Sequence, residues 1–259
     1  MLNKILNETL TIDKNLILKL ISFIDLTTLN DTDNKKTVLK LVDKANEGFN
    51  NTHPAAVCVF SNFGDLVKQH IKPNINVAVV STCFPTGQTL TQAKLYEIEL
   101  VNKTKVDEVD IVINRGEFLD GNLDYIIHEI TEIRKRLPKK HLKVILETGE
   151  LETDEDILVA SKLAMEAGAD FIKTSTGKAS VGSTPQAVYL MCQEIKRFYI
   201  ETGKKIGIKP AGGIRTLEDA IQLYKIVKSV LGDEWLTPKL FRIGASSLYD
   251  NLITSYNQL

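Results

Sequence analysis

The chain has 259 residues, 43% hydrophobic and 25% charged, an ordinary globular composition with ample length for a buried core. Its 32 basic and 33 acidic side chains leave a formal net charge of −1, which gives no electrostatic footprint for a nucleic acid backbone. No apolar run approaches a membrane span, and three scattered cysteines (Cys58, Cys83, Cys192) without a CxxC pair read as a reduced, cytoplasmic protein.

Taken in chain order, the first segment, MLNKILNETLTIDKNLILKLI, breaks its apolar residues with Asn, Lys, Glu and Asp. It lacks the continuous apolar stretch of a signal peptide and predicts one extra helix over residues 1 to about 20. A strand-like run, SFIDLT (22–27), comes next and carries Asp25 and Thr27. After it is AAVCVF (55–60), which holds Cys58 and places His53 near its mouth, and then VAVVST (77–82). An amphipathic helix is predicted over TLTQAKLYEIELVNKT (89–104). EVDIVI (108–113) brings Asp110 into an apolar strand, and LKVILE (142–147) brings Lys143. The helix predicted over EDILVASKLAMEAGA (155–169) has Gly168 suited to its C-terminal cap. Three runs remain: FIKTST (171–176), IGIKPA (206–211) and LFRIGA (240–245).

Eight apolar runs alternating with helices imply parallel strands covered by helices. That number, in a chain of this length, predicts an α/β fold of the (β/α)8 TIM barrel type, with an extra N-terminal helix and one domain over residues 1–259. An open doubly wound sheet is the competing architecture, but the GxGxxG fingerprint after a first strand is absent.

Two lysines stand out. Lys173 and Lys209 each end a short apolar run, one βα unit apart, so they fall on adjacent strands about 4.8 Å from one another. If both point inward, two cations in a partly dry site disfavour double protonation, and one amine is held neutral and nucleophilic towards carbonyls. A single lysine in such a place more commonly snorkels to solvent or pairs with a carboxylate. Two on consecutive strands, each followed by a glycine-containing loop, favour chemistry: one forms a Schiff base and the other makes that possible. Asp110 is the acid–base candidate, either paired with one of the lysines or exposed at the strand base, with Lys143 on the neighbouring strand as a further partner.

The loops after the last two runs read AGGIR and GASS. Gly212 and Gly213 allow close backbone approach, and Ser246 and Ser247 add hydroxyl donors, in the place where barrels bind phosphate. Gly177 in STGK adds to them. Other motifs fail. KTSTGKAS has Ile172 and Ala179 where a P-loop needs Gly and Ser or Thr, GASSL lacks the closing glycine of a nucleophile elbow, and the four histidines have no metal-site spacing. Cys58 reads as a packed wall residue rather than a nucleophile.

FIDLTTLN, DEVDIVI, KVILETGEL, FIKTSTGK, IKPAGGIR and FRIGASSL, in that order along residues 23 to 248, closely resemble the class I deoxyribose-phosphate aldolase family. The resemblance implies reversible cleavage of 2-deoxy-D-ribose 5-phosphate to D-glyceraldehyde 3-phosphate and acetaldehyde, without metal or organic cofactor, in the cytoplasm. It implies Lys173 as the Schiff-base lysine, Lys209 as the neighbour that lowers its pKa, Asp110 as the proton-transfer carboxylate and Lys143 as its support. Gly177, Gly212, Gly213, Ser246 and Ser247 match the phosphate loops; Asp25, Thr27 and Cys58 match pocket-lining positions. Some members end in a tyrosine that helps protonate the intermediate, whereas this chain ends SYNQL, with Tyr256 before the terminus. Expected partners are sugar phosphates and aldehydes, with no nucleic acid and no membrane; a homodimer is compatible with the sequence, which does not fix the oligomeric state. A different Schiff-base aldolase or transaldolase, and a silent barrel that only binds a phosphosugar, remain as alternatives.

Overall fold

A computed structural model describes residues 1–259. The leading segment forms two helices where one was predicted, α1 (Leu2–Leu6) and α2 (Lys14–Ser22). The break has a local cause: Asp13 is extended and its carboxylate accepts the Leu16 N–H at 2.8 Å, so it starts a new helix. Leu16, Ile17, Leu20 and Ile21 on one face of α2 are buried.

Eight parallel strands make up the sheet: β1 (Ile24–Thr27), β2 (Ala56–Phe60), β3 (Asn76–Val80), β4 (Glu108–Val112), β5 (His141–Ile145), β6 (Phe171–Lys173), β7 (Gly207–Lys209) and β8 (Ile243–Ala245). From β1 to β7 each pairs with its neighbour in sequence, and β1 also pairs with β8. The ring closes between β7 and β8 through single bridges at Ile208–Phe241 and Ala211–Gly244. The result is the expected (β/α)8 barrel. The last three strands are shorter than their predicted runs because the chain leaves the sheet early into glycine loops, helped at β7 by Pro210, which has no N–H to give.

The outer layer is α3 (Lys35–Glu47), α4 (Gly64–His70), α5 (Thr91–Lys103), α6 (Arg115–Leu119), α7 (Leu123–Arg136), α8 (Asp154–Glu166), α9 (Pro185–Thr202), α10 (Leu217–Leu231) and α11 (Leu248–Gln258). Their starts are written in the sequence: Asn34, Thr153 and Thr216 form capping boxes, and Thr184 caps α9 with Pro185 in its first turn. The two helices predicted in detail match α5 and α8 within a few residues, and Gly168, at φ +106°, turns the chain after α8 towards β6. No helix is long and apolar enough to cross a membrane.

Side chains alternate across each strand. Outward residues such as Val57, Val79, Ile111 and Val144 join a core of 64 buried residues beneath the helices. The inward face is divided. On β2 and β3 it is small and apolar (Ala56, Cys58, Ala78, Val80). On the remaining strands it carries charge: Asp25, Glu108, Asp110, Lys143, Lys173, Lys209 and Arg242 are all nearly or wholly buried.

Candidate active site

Register brings the two lysines together. Lys173 and Lys209 are direct partners across β6 and β7, while Asp110 and Lys143 are partners across β4 and β5. Asp110 is the hub of the group. Its Oδ2 accepts from Lys173 Nζ at 2.9 Å and Lys209 Nζ at 2.8 Å, and its Oδ1 from Lys143 Nζ at 2.9 Å. Of the two placements open for Asp110, the structure shows the buried and paired one.

The same group explains how each charge is held. Burial alone would raise Asp110, but the three ammonium groups together outweigh it and hold the carboxyl well below its ordinary range. Burial disfavours the charged form of Lys209, yet Asp110 and Asp25 reverse that and keep it protonated beyond the usual lysine range. Lys143 is raised in the same way, by Asp110 and Glu108 against burial. Lys173 alone goes down: burial lowers it, Asp110 opposes, and Lys209 adds its repulsion. Lys173 has one carboxylate partner, whereas Lys209 and Lys143 have two or more.

Above Lys173, at the C-terminal ends of the strands, lies a cavity of about 570 Å³. Lys173 is the one lysine of the buried group that borders it; the rim includes Thr27, Gly177, Gly212, Gly213, Ser246 and Ser247, so these expected positions come together. Gly212 sits at φ +84°, and a Cβ there would lie 3.1 Å from the Gly182 Cα, so neither the turn nor the packing admits a side chain easily. Ser247, on the rim, precedes the first turn of α11.

Several placements differ from expectation. Asp25 and Cys58 do not line the open cavity; both are fully buried, Asp25 bound to Lys209 at 2.5 Å and to Arg242 at 2.6 Å, Cys58 within the apolar wall. Burial raises the Cys58 thiol. His53 is not at the mouth of the second strand: it precedes β2, at the opposite end of the barrel, with Nδ1 3.0 Å from the Ala45 carbonyl oxygen. Tyr256 packs edge-on against Phe49 and beneath the Lys14 ammonium, two turns along α11 from the rim.

Sequence reasoning gave several residues no role. Lys44, Lys178 and Arg215 bring cations to the cavity rim, and helical or loop positions gave them no distinguishing pattern. Glu147 lies just beyond β5 in the left-handed region at φ +57° and is fully buried; its carboxylate accepts from the Thr176 backbone N–H at 3.1 Å and from the Thr176 hydroxyl. Its acidic type directly after a strand was the available signal, and burial raises its carboxyl. Arg242 joins Asp25 to Glu108 at the floor of the barrel; a lone cation inside the run LFRIGA was its signal.

An amine on the floor of an open cavity, beside a carboxylate hub and beneath a rim of backbone amides, hydroxyls and cations, defines a (β/α)8 enzyme suited to carbonyl chemistry on an anionic substrate. Residues 19–250 match the DeoC/LacD family aldolase, and the chain belongs to that family. It is an aldolase, a carbon–carbon lyase of the Schiff-base class. Among curated relatives, deoxyribose-phosphate aldolase from Mus musculus and from Homo sapiens are each 43% identical over 251 residues, covering 91% of this chain and 79% of theirs. Among solved structures, one titled QR15, an aldolase, is 30% identical, covers 93% of this chain and 98% of its own, and superposes with TM-score 0.76. A deoxyribose phosphate aldolase from Aeropyrum pernix, titled as a tetramer, shares the fold at TM-score 0.76 and 23% identity, covering 100% of this chain and 97% of that one.

Proposed function

We propose that this chain reversibly cleaves 2-deoxy-D-ribose 5-phosphate to D-glyceraldehyde 3-phosphate and acetaldehyde through an imine on Lys173. The name carried by the mouse and human relatives supports the substrate. The observation that carries the choice of lysine is that Lys173 alone combines access to the cavity with a single carboxylate partner and a lowered pKa. Lys209 and Lys143 are held protonated and out of reach.

Neutral Lys173 attacks the C1 aldehyde of the open-chain sugar, giving a carbinolamine that loses water to form an iminium. In the free site Asp110 is a weak base, because the Lys143 and Lys209 ammonium groups and the Lys173 nitrogen all donate to it. Imine formation takes the Lys173 nitrogen off Oδ2 and frees a lone pair. Asp110 then accepts the C3 hydroxyl proton, directly or through a water, as the C2–C3 bond breaks and its electron pair enters the iminium. Glyceraldehyde 3-phosphate leaves, and the enamine on Lys173 is protonated at C2 and hydrolysed to acetaldehyde. General acid–base help of this kind is worth about 10²–10⁴-fold.

The 5-phosphate is placed against Gly177, Gly212, Gly213, Ser246 and Ser247, with Lys178 and Arg215 as counter-charges. Lys143 fixes the other oxygen of Asp110. Three free cysteines, two of them buried, suit a reduced cytoplasmic compartment. Assay of purified protein with 2-deoxyribose 5-phosphate should release acetaldehyde and glyceraldehyde 3-phosphate in equal amounts, and Lys173→Leu should release neither while keeping the native circular dichroism. Preference for a ketose phosphate would overturn the substrate; turnover by Lys173→Leu would overturn the nucleophile.

A further inference from the structure

The lysines and Asp110 are the upper part of a larger buried network. Below them, Arg242 Nη1 donates to Asp25 Oδ1 at 2.6 Å and Nη2 to Glu108 Oε1 at 2.8 Å, while Nε donates to the Pro238 carbonyl. Glu108 also contacts Lys143 and accepts from Asn76 Nδ2 at 2.7 Å. Asp25 reaches up to Lys209. The network is therefore continuous from the floor of the barrel to Lys173, and every strand's contribution can be named. The buried titratable groups of the interior are Asp25 from β1, the Cys58 thiol from β2, Glu108 and Asp110 from β4, Lys143 from β5, Lys209 from β7 and Arg242 from just before β8; Asp110, Lys209 and Cys58 are the ones that act on Lys173 directly. β3 turns Ala78 and Val80 inward and adds no charge. Glu147, beyond β5, is turned to Thr176 and Arg115. The open rim carries Lys44, Lys178, Arg215 and Asp250.

With every group charged, three carboxylates (Asp25, Glu108, Asp110) oppose four cations (Lys143, Lys173, Lys209, Arg242) in a buried space that screens them poorly. One positive charge is in excess, and releasing one proton balances the set. Arg242 cannot release it, since a guanidinium stays protonated. Lys143 and Lys209 each bridge more than one carboxylate. Lys173 binds one carboxylate and borders the cavity, so the excess falls on it.

We propose that Arg242 and Glu108 are positioning residues that set the protonation state of Lys173 from the floor of the barrel, Arg242 by supplying the fourth cation and Glu108 by limiting the excess to one. Arg242 occupies Asp25 and Glu108 together. Without it, those two carboxylates draw on Lys209 and Lys143, and Asp110 is left to hold Lys173 as an ammonium. Neither residue touches substrate. The inference rests on Lys173 being the nucleophile.

The test is the pH dependence of reductive trapping of acetaldehyde by cyanoborohydride, read as the rate of adduct formation in the native chain and in Arg242→Gln, Arg242→Lys and Glu108→Gln. Peptide mapping of the native adduct comes first: an adduct elsewhere than Lys173 sinks the functional reading, whatever the variants' pH profiles show. With the adduct on Lys173, Arg242→Gln should move the acidic limb of the profile up by on the order of one pH unit, about tenfold in rate at a fixed pH on that limb. Glu108→Gln should move it down, and Arg242→Lys should restore it towards native. If Arg242→Gln does not fold, Glu108→Gln carries the test alone, because it differs in charge with almost no change in shape. A limb that stays in place while the rate falls evenly across pH, or Arg242→Lys behaving as Arg242→Gln, would show a purely structural role and overturn the proposal.

Discussion

At the scale of single residues, the site sets stability against chemistry. Asp110 accepts from three lysines, so Asp110→Asn leaves Lys143 and Lys209 as buried cations beside a neutral amide. Breaking a buried pair in this way costs about 3–5 kcal/mol. Lys173→Leu does the reverse: it removes an amine whose charged form burial disfavours and leaves Asp110 bound to Lys143 and Lys209. Thermal melts at neutral pH should therefore show Asp110→Asn well below the native chain and Lys173→Leu at or above it, by a few degrees if about 1 kcal/mol is gained. A Lys173→Leu protein that melts as low as Asp110→Asn would contradict the charge balance. The lysine pair and Asp110 were legible because each is a charge inside an apolar run at matching strand positions. Arg242 and Glu108 carried the same signal, and Glu108 even shares its strand face with Asp110. Glu108 was visible as an acidic residue opening its strand, yet neither it nor Arg242 was given a role, because function in a parallel barrel is expected at the C-terminal ends of strands and these two lie at the other end.

At the scale of elements, the strands and capped helices were readable because their causes are local: alternation, capping residues and glycine turns. The split between α1 and α2 was also local, with Asp13 as its cap, but polar residues spread along the segment blurred it. How loops pack on one another was not readable, since it depends on register across the barrel. The loop after β6 and the loop after β7 meet at Gly182, where a Cβ would lie 2.4 Å from the Gly212 carbonyl oxygen. Backbone cannot yield there as a flexible side chain would. Gly182→Ala should displace the Gly212–Gly213 turn and raise KM for the phosphorylated substrate by about tenfold, roughly the loss of one hydrogen bond. Acetaldehyde, which has no phosphate, should form its imine at the native rate. Equal loss for both substrates would mean that the turn does not serve the phosphate.

At the scale of the whole molecule, the barrel is asymmetric. Small apolar side chains line β2 and β3, and an ionic network fills the rest, so much of the interior is held by charge. Asp25, Glu108 and Asp110 all have carboxyl pKa values lowered in the folded state: burial opposes this, and the cations outweigh it. Their stabilisation is fully present above the unfolded carboxyl range and is lost as pH falls through the folded values. Lys143 and Lys209, raised, hold theirs below the unfolded lysine range and lose it as pH rises through the folded values. From these carboxylates the urea midpoint should collapse only below about pH 4, while Lys173, whose ammonium form burial disfavours, makes it rise as pH climbs from the folded Lys173 value towards the unfolded lysine range. A rise that persists unchanged in Lys173→Leu would place that titration outside this amine. The chemistry as a whole stands on one amine. Borohydride reduction in the presence of acetaldehyde, followed by peptide mapping, tests it most directly. The expected result is an ethyl adduct on Lys173, absent when borohydride is omitted; an adduct on Lys209, or none in folded protein, would contradict it.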